Sequence, residues 1–472
     1  MKKVLSTVAV SALILGSAVA ASAAGIEMEG SVRSRGLSEQ TVVNNVATSN
    51  FYDSSVRLGM KSKPSDNLEG YILLETGTDT GDTYTWGSES AASLGKGGTQ
   101  AGGLTGAGKL GIIQAWMAYK PTNTITLKVG HMPIAPGTKQ FINHDNSGDD
   151  AIVVAYDPNK NTHMHVATIK LAENTAADNS DDLDGYAFVA TQKFNDAFKM
   201  GLNVVNLRGS AEASETAAPG AVATVTAAPV TSGVLYPGLN LTNVGVDAAY
   251  KMGNLTLSGD VNYQFGTITD LGTGTAGEID ADGYAFQLAA DYKIANSNVG
   301  LLFGLGSGAE DTGVAGTYTN DKKADAFINF LGDSAYQVYI PGYRKVTPGS
   351  GTSAVLGQTG NSGLSNLTLY QLNAKTATKC ALTGKPLAIR GALSYMRTTE
   401  DVTVTNTAGA AERVNDIGTE IDVVAAWSLT SNLTYQIEAA YLWTGDVYRT
   451  AAGAAGEPEN AYFLRHGITM KF

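Results

Sequence analysis

The sequence predicts an all-β fold, a transmembrane antiparallel up-and-down β-barrel of about 18–20 strands with short periplasmic turns and long extracellular loops. Three observations predict this fold class. The chain ends in a strand-like segment that reaches the last residue, Phe472. Segments of roughly 10–12 residues alternate polar and apolar side chains, which is the length of a tilted membrane-spanning strand. Short and long connections between these segments alternate along the chain. We therefore expect a cleaved signal peptide over residues 1–23 and a single barrel domain over residues 24–472.

The carboxy-terminal segment reads FLRHGITMKF. Leu464, Ile468 and Met470 lie with the terminal Phe472 on one side of a period-two strand, and His466 shares that side. Chain ends usually fray, whereas the last strand of a barrel must close on the first. We therefore expect Phe472 to sit on the closing strand and to be recognised by the barrel-assembly machinery of the outer membrane.

The amino-terminal end predicts export. Lys2 and Lys3 precede a short apolar stretch, and Ala21-Ser22-Ala23 has the small residues of a cleavage site. No cysteine follows that site, which excludes a lipoprotein anchor. An N-terminal membrane helix is the alternative, but the apolar stretch is too short for one. We expect a Sec-type signal peptide and location in the outer membrane of a Gram-negative cell.

Composition agrees with a barrel and excludes other classes. The mean hydropathy of −0.05 hides any membrane signal, because alternating apolar and polar residues average out. Glycine (55) and tyrosine (21) are abundant and proline (12) is sparse, which suits long strands with interfacial aromatic rings. The net charge of −12 argues against nucleic-acid binding. The single Cys380, in a predicted turn, permits no internal disulfide, and the absence of C-x-x-C-H excludes a c-type haem. We expect no cofactor.

Three segments show the alternation most clearly. In residues 254–265 every even position is polar, and every odd position except Gly259 is apolar or aromatic. In residues 433–443 the odd positions run from Leu433 to Trp443 without a polar residue. Residues 416–427 follow the same pattern. Strands of a soluble sandwich are usually about 5–6 residues long, so this length favours a membrane barrel.

The lengths of the connections predict the orientation of the barrel, with short turns on the periplasmic side and long loops on the extracellular side. Short connections carry turn residues such as Pro, Asn, Asp and Gly, and long ones are rich in Gly, Ala, Ser and Thr. The short turns are predicted at 63–67, 120–123, 157–161, 251–254 and 430–432. The long loops are predicted at 77–110, 131–150, 209–240, 266–281, 306–322, 347–365, 398–415 and 444–460.

We predict about twenty strands, and eighteen fits the pattern equally well. The weakest candidates are 124–130, 150–157 and 323–331. The candidate spans are 26–36, 51–61, 67–76, 111–120, 124–130, 150–157, 161–171, 184–193, 197–208, 241–251, 254–265, 282–293, 296–305, 323–331, 335–345, 366–376, 386–397, 416–427, 433–443 and 461–472. A barrel of this size encloses an aqueous lumen unless loops fill it.

Polar strand positions are the predicted pore-lining residues, because the polar face of a membrane barrel lines its lumen. Closure would place Arg465 on the last strand beside the basic residues of the first two strands, whereas the acidic residues lie on other strands. We predict opposed walls of unlike charge, whose transverse field orients ions and polar solutes; the alternative is ordinary solvated charges. The predicted pore-lining residues are Arg33, Arg35, Arg57, Glu69, Asp260, Arg390, Glu420, Asp422, Glu438 and Arg465.

The segment that follows His131 (HMPIAPGTKQFINHDNSGDD) mixes apolar and polar residues. It either folds inward as a constriction or stays outside as an ordinary loop, and the sequence leaves both open. Asp145, Asp149 and Asp150 offer oxygen ligands for Ca²⁺, but no EF-hand spacing is present. We predict no metal site.

No motif indicates catalysis. The G-x-S-x-G, H-E-x-x-H and P-loop motifs are absent. His163 and His165 share one face of a strand, which would suit a metal only if a third ligand came from elsewhere. Spacing along the chain does not exclude a site assembled across strands, but no residue pattern supports one, so we expect a protein that is not an enzyme.

Several motifs resemble a known family. The segment Ile417–Asp422 (IGTEID) followed by Leu433–Asp446, which ends in Trp-Thr-Gly-Asp, resembles alginate-export-type porins. Ser31–Arg35 (SVRSR) and Gln114-Ala115-Trp116 also fit, and the whole chain is similar to porin-like outer-membrane proteins of metal-reducing, Geobacter-type bacteria. The resemblance implies a diffusion channel, and in such organisms porins are also linked to respiration with extracellular acceptors. The alginate exporters have an arginine-lined pore, whereas this chain is acidic, which argues against a polyanionic polysaccharide.

Two functions follow as hypotheses. The first is an outer-membrane porin through which ions and small hydrophilic solutes diffuse passively along a charged aqueous lumen. The second is a barrel that scaffolds or sheathes partner proteins, such as cytochromes, in extracellular electron transfer. The expected partners are outer-membrane lipid, the barrel-assembly machinery, and small ions and solutes; a homotrimer is common among porins, but no sequence feature requires one.

Overall fold

The fold is a closed antiparallel β-barrel of eighteen strands. The computed structural model describes residues 25–40, 49–76, 84–85, 110–172, 182–209, 239–270, 277–308, 323–331, 363–405, 408, 410–449 and 458–472. Each barrel strand pairs with the next one along the chain, and the first strand pairs with the last to close the sheet. The barrel strands are β1 (Ile26–Gln40), β2 (Ser49–Ser65), β3 (Leu68–Thr76), β5 (Leu110–Tyr119), β6 (Ile125–Ile134), β7 (Ile142–Asn159), β8 (Thr162–Ala172), β9 (Leu183–Lys193), β10 (Phe198–Gly209), β11 (Asn240–Met252), β12 (Leu255–Asp270), β14 (Tyr284–Ile294), β15 (Ser297–Gly306), β18 (Thr368–Lys379), β19 (Pro386–Thr405), β20 (Ala411–Ser428), β21 (Leu433–Thr444) and β22 (Ala461–Lys471).

Four short strands lie outside this ring: β4 (Tyr84–Thr85), β13 (Gly277–Ala281), β16 (Lys323–Ala324) and β17 (Phe330–Leu331). β4 pairs with β2, and β13 pairs with both β12 and β16. β17 pairs in parallel with β7. A short 3₁₀ helix, Asp446–Tyr448, follows β21.

The predicted fold class is confirmed, and every barrel strand overlaps one predicted span. The span 323–331 is wrong as a barrel strand, because only its two ends form short strands and its centre folds against the barrel interior. The span 335–345 lies outside the described residues. The predicted loop 398–415 is largely strand, because β19 and β20 remain paired as far as Thr405 and Ala411.

The turns at one end of the barrel use the residues that the sequence offers for them. In the turn between β9 and β10, the Oδ1 atom of Asn195 accepts hydrogen bonds from the backbone N–H groups of Ala197 and Phe198, both at 2.8 Å. Gly253, between β11 and β12, takes a φ of +60°, where a side chain would be strained. These local bonds satisfy the backbone within a few residues, so the short turns need no support from the rest of the chain.

The carboxy-terminal residue closes the barrel. The backbone N–H of Gly30 donates to the carbonyl of Phe472 at 2.8 Å, and the N–H of Phe472 donates to the carbonyl of Gly30 at 3.0 Å. The Phe472 ring covers Gly30, where a Cβ atom would lie 2.5 Å from the ring. A glycine is therefore required at this point of β1 for the aromatic terminus to lie flat on the wall.

The outer face of the barrel carries an apolar band between two sets of aromatic rings. Alternate strand residues such as Val154, Val261, Leu301 and Leu393 are exposed. The exposed rings near the short turns include Tyr119, Tyr156, Tyr250, Tyr292 and Phe472, and those toward the opposite end include Tyr52, Tyr186, Tyr263, Tyr284, Tyr370, Tyr395, Tyr441 and Trp443. This arrangement matches the lipid-facing surface of an outer-membrane barrel. Among the described residues, no helix has the length and apolar character that a spanning helix needs.

Candidate functional site

A segment of the chain crosses the barrel interior. Residues 135–141 connect β6 to β7, and the side chains of Phe141 and Ile142 are buried in an apolar cluster with Phe327 and Leu207. The Nε2 atom of Gln140 donates to Oε1 of Gln287 on β14 at 2.9 Å. The segment that follows His131 therefore folds into the barrel interior, which is one of the two alternatives that the sequence leaves open.

Further contacts hold this segment against the wall. The side chain of Thr138 bonds to Asp260 on β12. Gly137 has a φ of +62° and lies so close to Asn203 on β10 that a Cβ atom would come within 2.3 Å of its Nδ2 atom. The segment thus contacts three different strands, and a glycine at position 137 permits the close approach.

A second segment, residues 325–331, packs beside the first. The backbone N–H of Ile328 donates to Oε1 of Gln264 at 2.8 Å, and the Nε2 atom of Gln264 donates to the Ile328 carbonyl. Phe330 pairs with Ile142 at the end of the first segment. We call residues 135–141 and 325–331 the constriction segments. Together they fill one side of the lumen with packed apolar side chains.

Ion pairs between neighbouring strands line another part of the interior. Arg35 on β1 donates from Nε and Nη2 to the two carboxylate oxygens of Asp53 on β2, at 2.8 and 2.7 Å. Arg57 pairs with Glu75 on β3, and the Nζ atom of Lys61 lies 2.9 Å from Oε1 of Glu69. All of these side chains lie on the face opposite the exposed apolar residues, because they alternate with them along each strand.

The same pattern recurs where the barrel closes. Arg465 on β22 pairs with Glu438 on β21, and both side chains are buried. Glu420 and Asp422 on β20 are fully buried. The predicted contiguous basic wall is therefore wrong for Arg35, Arg57 and Arg465, since each of them is paired with a carboxylate on a neighbouring strand. Cross-strand neighbours decide this, and they are not visible in one strand's sequence.

The other predicted pore-lining residues lie apart from these pairs. Arg33 lies opposite Ser55 on β2 and Thr469 on β22. Arg390 lies opposite Lys375 on β18, and its side chain is exposed. Asp260 is buried beneath the constriction segments, where its carboxylate accepts a hydrogen bond from Asn262 at 3.0 Å.

A cavity of about 1100 Å³ lies between residues 133–139 and the wall formed by β6 to β11. Its lining contains His163 and His165. The Nδ1 atom of His163 donates to Oδ1 of Asp157 at 2.7 Å, and its Nε2 atom lies 3.0 Å from Nδ1 of His165. The two histidines therefore share a face, as their spacing predicts. Within the described ranges, no group of three or more His, Cys, Asp or Glu side chains is arranged to hold a metal ion.

A buried amide cluster beneath the constriction was not identified from the sequence. The Nδ2 atom of Asn243 donates to Oδ1 of Asn262 at 3.1 Å, and Asn203 lies beside it. These side chains occupy polar positions of β10, β11 and β12 and are almost fully buried. The polar face of 254–265 was a signal for Asn262, but its burial depends on the constriction segments, which come from elsewhere in the chain.

Comparisons with known proteins identify solved structures that share this fold. No family model and no curated protein matches the sequence. Among solved structures, OccK5 (OpdH) of Pseudomonas aeruginosa is 13% identical with a TM-score of 0.51, covering 94% of this chain and 98% of that one. A BenF-like porin of Pseudomonas fluorescens Pf-5 is 13% identical with a TM-score of 0.53, covering 95% and 98%. OccK2 (OpdF), solved in complex with glucuronate, is 11% identical with a TM-score of 0.51, covering 95% and 96%. The chain therefore shares the fold of these porins over nearly its whole length.

Proposed function

We propose that the protein is an outer-membrane porin through which ions and small hydrophilic solutes diffuse passively. The observation that carries the proposal is a closed barrel whose outer face is apolar and ringed by aromatic side chains, whereas its inner face is charged and narrowed by the constriction segments. An apolar exterior suits lipid, and charged inner positions suit water and ions. No bond is made or broken in this mechanism.

The inner charges set how a solute would pass. Because Arg35, Arg57 and Arg465 are each paired with a carboxylate on a neighbouring strand, they present local dipoles rather than one strong field. Such a lining favours polar and zwitterionic solutes, because these paired charges can replace the water molecules around the solute one after another as it passes. The proposed pore-lining residues are the ten that the sequence indicates. Of these, Asp260, Glu420 and Asp422 are buried on the inner face and would act on a solute without touching it.

The test is single-channel current of the purified, refolded protein in a planar bilayer under a salt gradient. We expect stepwise ohmic conductance with a stable reversal potential, and closures in groups of three if the barrel forms a homotrimer. Silence from protein that migrates as a folded barrel on unheated gels would overturn the porin proposal. In that case a scaffold or sheath would become the leading hypothesis, although no contact of the described residues favours it now.

The orientation of the barrel can be tested at Cys380, in the turn between β18 and β19. Hydrogen bonds from the Thr383 hydroxyl and from nearby backbone N–H groups lower the pKa of Cys380 to about 7, so much of the thiol is ionised and reactive at pH 7.5. If the short turns face the periplasm, a membrane-impermeant maleimide should not label Cys380 in intact cells but should label it rapidly after the outer membrane is permeabilised.

A matched control carries its cysteine at the other end of the barrel. In a Cys380→Ser background, Ala408→Cys lies in the connection between β19 and β20 and should be labelled in intact cells. Labelling of Cys380 and protection of position 408 in intact cells would reverse the proposed orientation.

We further propose that the barrel-assembly machinery recognises the carboxy-terminal strand. The exposed ring of Phe472 at the closing strand supports recognition by the barrel-assembly machinery. Export by a signal peptide over residues 1–23 concerns a segment outside the described residues. The specific resemblance to alginate-export-type and Geobacter-type porins, and a link to cytochromes, rest on the sequence motifs alone.

A further inference from the structure

We propose that the lumen contains a binding site for a compact oxyanion with two negative charges, of which hydrogen phosphate is the simplest example. The site is the cavity of about 1100 Å³ on the side of the short turns, and we call it the lysine vestibule. It is defined by Lys128, Lys160, Lys193, Lys199, His163 and His165. This inference rests on the proposed function, because it names a solute class for the same lumen.

The first support is an excess of lysines over carboxylates in the cavity lining. Among the described residues, the cavity lining includes five lysines and three aspartates, in a chain whose net charge is −12. Two of the aspartates are already engaged, since Asp145 pairs with Lys139 at 2.5 Å and Asp157 accepts from His163. Asp247 is the remaining carboxylate of the lining, and it interacts with Lys199. The other lysines of the vestibule therefore outnumber the carboxylates available to them.

The second support is a pair of like charges on adjacent strands. Lys193 on β9 and Lys199 on β10 lie directly opposite each other on the lumen face. Like charges directly opposite each other destabilise a pair of strands, and an anion beside them would relieve that repulsion. Lys193 has one partner, Asp196, whose side chain is 99% exposed in the adjoining turn, so water screens that pair strongly. A dianion in the vestibule would neutralise both ammonium groups at once.

The choice of residue types indicates the shape of the anion. The described residues of the lining include no arginine, whereas the arginines Arg35, Arg57 and Arg465 lie in ion pairs elsewhere. Arginine forks match a planar carboxylate in a bidentate manner, whereas lysine is a compact point charge without that geometric preference. Separate ammonium groups around a cavity suit an anion whose charge is spread over several oxygens in different directions. The imidazoles of His163 and His165 lie on the same wall of the cavity.

The position of the vestibule makes it useful to a channel. Residues 133–139 form one side of the cavity, so an anion held by the lysines would sit directly next to the constriction. The Nζ atom of Lys128 lies 3.8 Å from the centroid of the Trp116 ring. This cation–π contact holds the ammonium group at the edge of the cavity. The site would concentrate the anion where passage is narrowest and would bind it weakly enough to release it.

The experiment compares three proteins in planar bilayers bathed in KCl at pH 7.5, with sodium phosphate added from the short-turn side. In the wild type we expect saturable reduction of the KCl current by phosphate. In Lys193→Gln/Lys199→Gln the half-blocking concentration should rise roughly tenfold, because two charge-assisted contacts are lost. The control Lys293→Gln/Lys375→Gln removes two lumen-face lysines near the same end but outside the cavity, and should behave as the wild type.

Each outcome bears on the proposal. Equal block in all three proteins would overturn the site. Block by succinate as strong as block by phosphate would overturn the assignment to a compact tetrahedral oxyanion. If no protein conducts, the porin proposal fails first, and titration calorimetry of phosphate into the folded wild type and the Lys193→Gln/Lys199→Gln protein still tests the site. Heat of binding that is the same in both would then reject it.

Discussion

Replacing residues 135–141 by a Gly/Ser linker of the same length should raise single-channel conductance by roughly twofold or more, because the narrowest cross-section limits ion flow. The replacement removes the buried Phe141 ring, the Gln140–Gln287 hydrogen bond at 2.9 Å and the Thr138–Asp260 contact. A Gly/Ser chain is a flexible coil without apolar side chains, so nothing would hold it across the lumen. The current should also become noisier, since the linker would move in and out of the pore.

The matched control is a Gly/Ser replacement of residues 381–384 in the exposed turn between β18 and β19, which does not contact the constriction segments. Its conductance should equal that of the wild type. Unchanged conductance in the 135–141 variant, with the folded barrel demonstrated by gel mobility, would show that these residues do not form the constriction. A smaller change confined to the noise would assign the narrowing chiefly to residues 325–331.

Arg465→Met should lower the free energy of unfolding by about 3–5 kcal/mol, because it leaves a carboxylate buried without its charged partner. The side chains of Arg465 and Glu438 are 9% and 8% exposed, so water cannot replace the lost pairing. The double variant Arg465→Met/Glu438→Leu should recover much of the stability, since an apolar pair of similar volume carries no desolvation cost. Urea unfolding of barrels in lipid vesicles, followed by the loss of heat-modifiable mobility, measures both.

A more exposed pair in the same barrel is the control. The side chains of Lys61 and Glu69 are 34% and 29% exposed, and Lys61→Met should leave the unfolding midpoint almost unchanged because water screens that pair. If Arg465→Met is no more harmful than Lys61→Met, the buried pair does not stabilise the closing strand. If the double variant is as unstable as the single one, the loss comes from packing around Phe463, whose ring lies 5.2 Å from the Arg465 guanidinium carbon.

The sequence predicted the face of individual strand residues correctly, but not their partners. The alternation in 433–443 placed Tyr441 and Trp443 outside and Glu438 inside, and the structure agrees. The same reasoning placed Arg35 and Arg57 on the inner face but assigned them to one basic wall. Their partners Asp53 and Glu75 lie on the next strand in each case, and the register that brings them together depends on how the strands pair.

The sequence by itself determined the fold class, the approximate positions of the strands that form the barrel, their short turns and the face that each strand side chain takes. These are local properties, because a period of two residues and a turn of a few residues are specified within one stretch of chain. The tertiary structure alone decided which charges pair, which polar groups are buried, and that residues 135–141 and 325–331 meet inside the barrel. Those outcomes depend on contacts such as Gln140 with Gln287 and Ile328 with Gln264, between residues far apart in the chain, and only closure of the sheet brings such residues together.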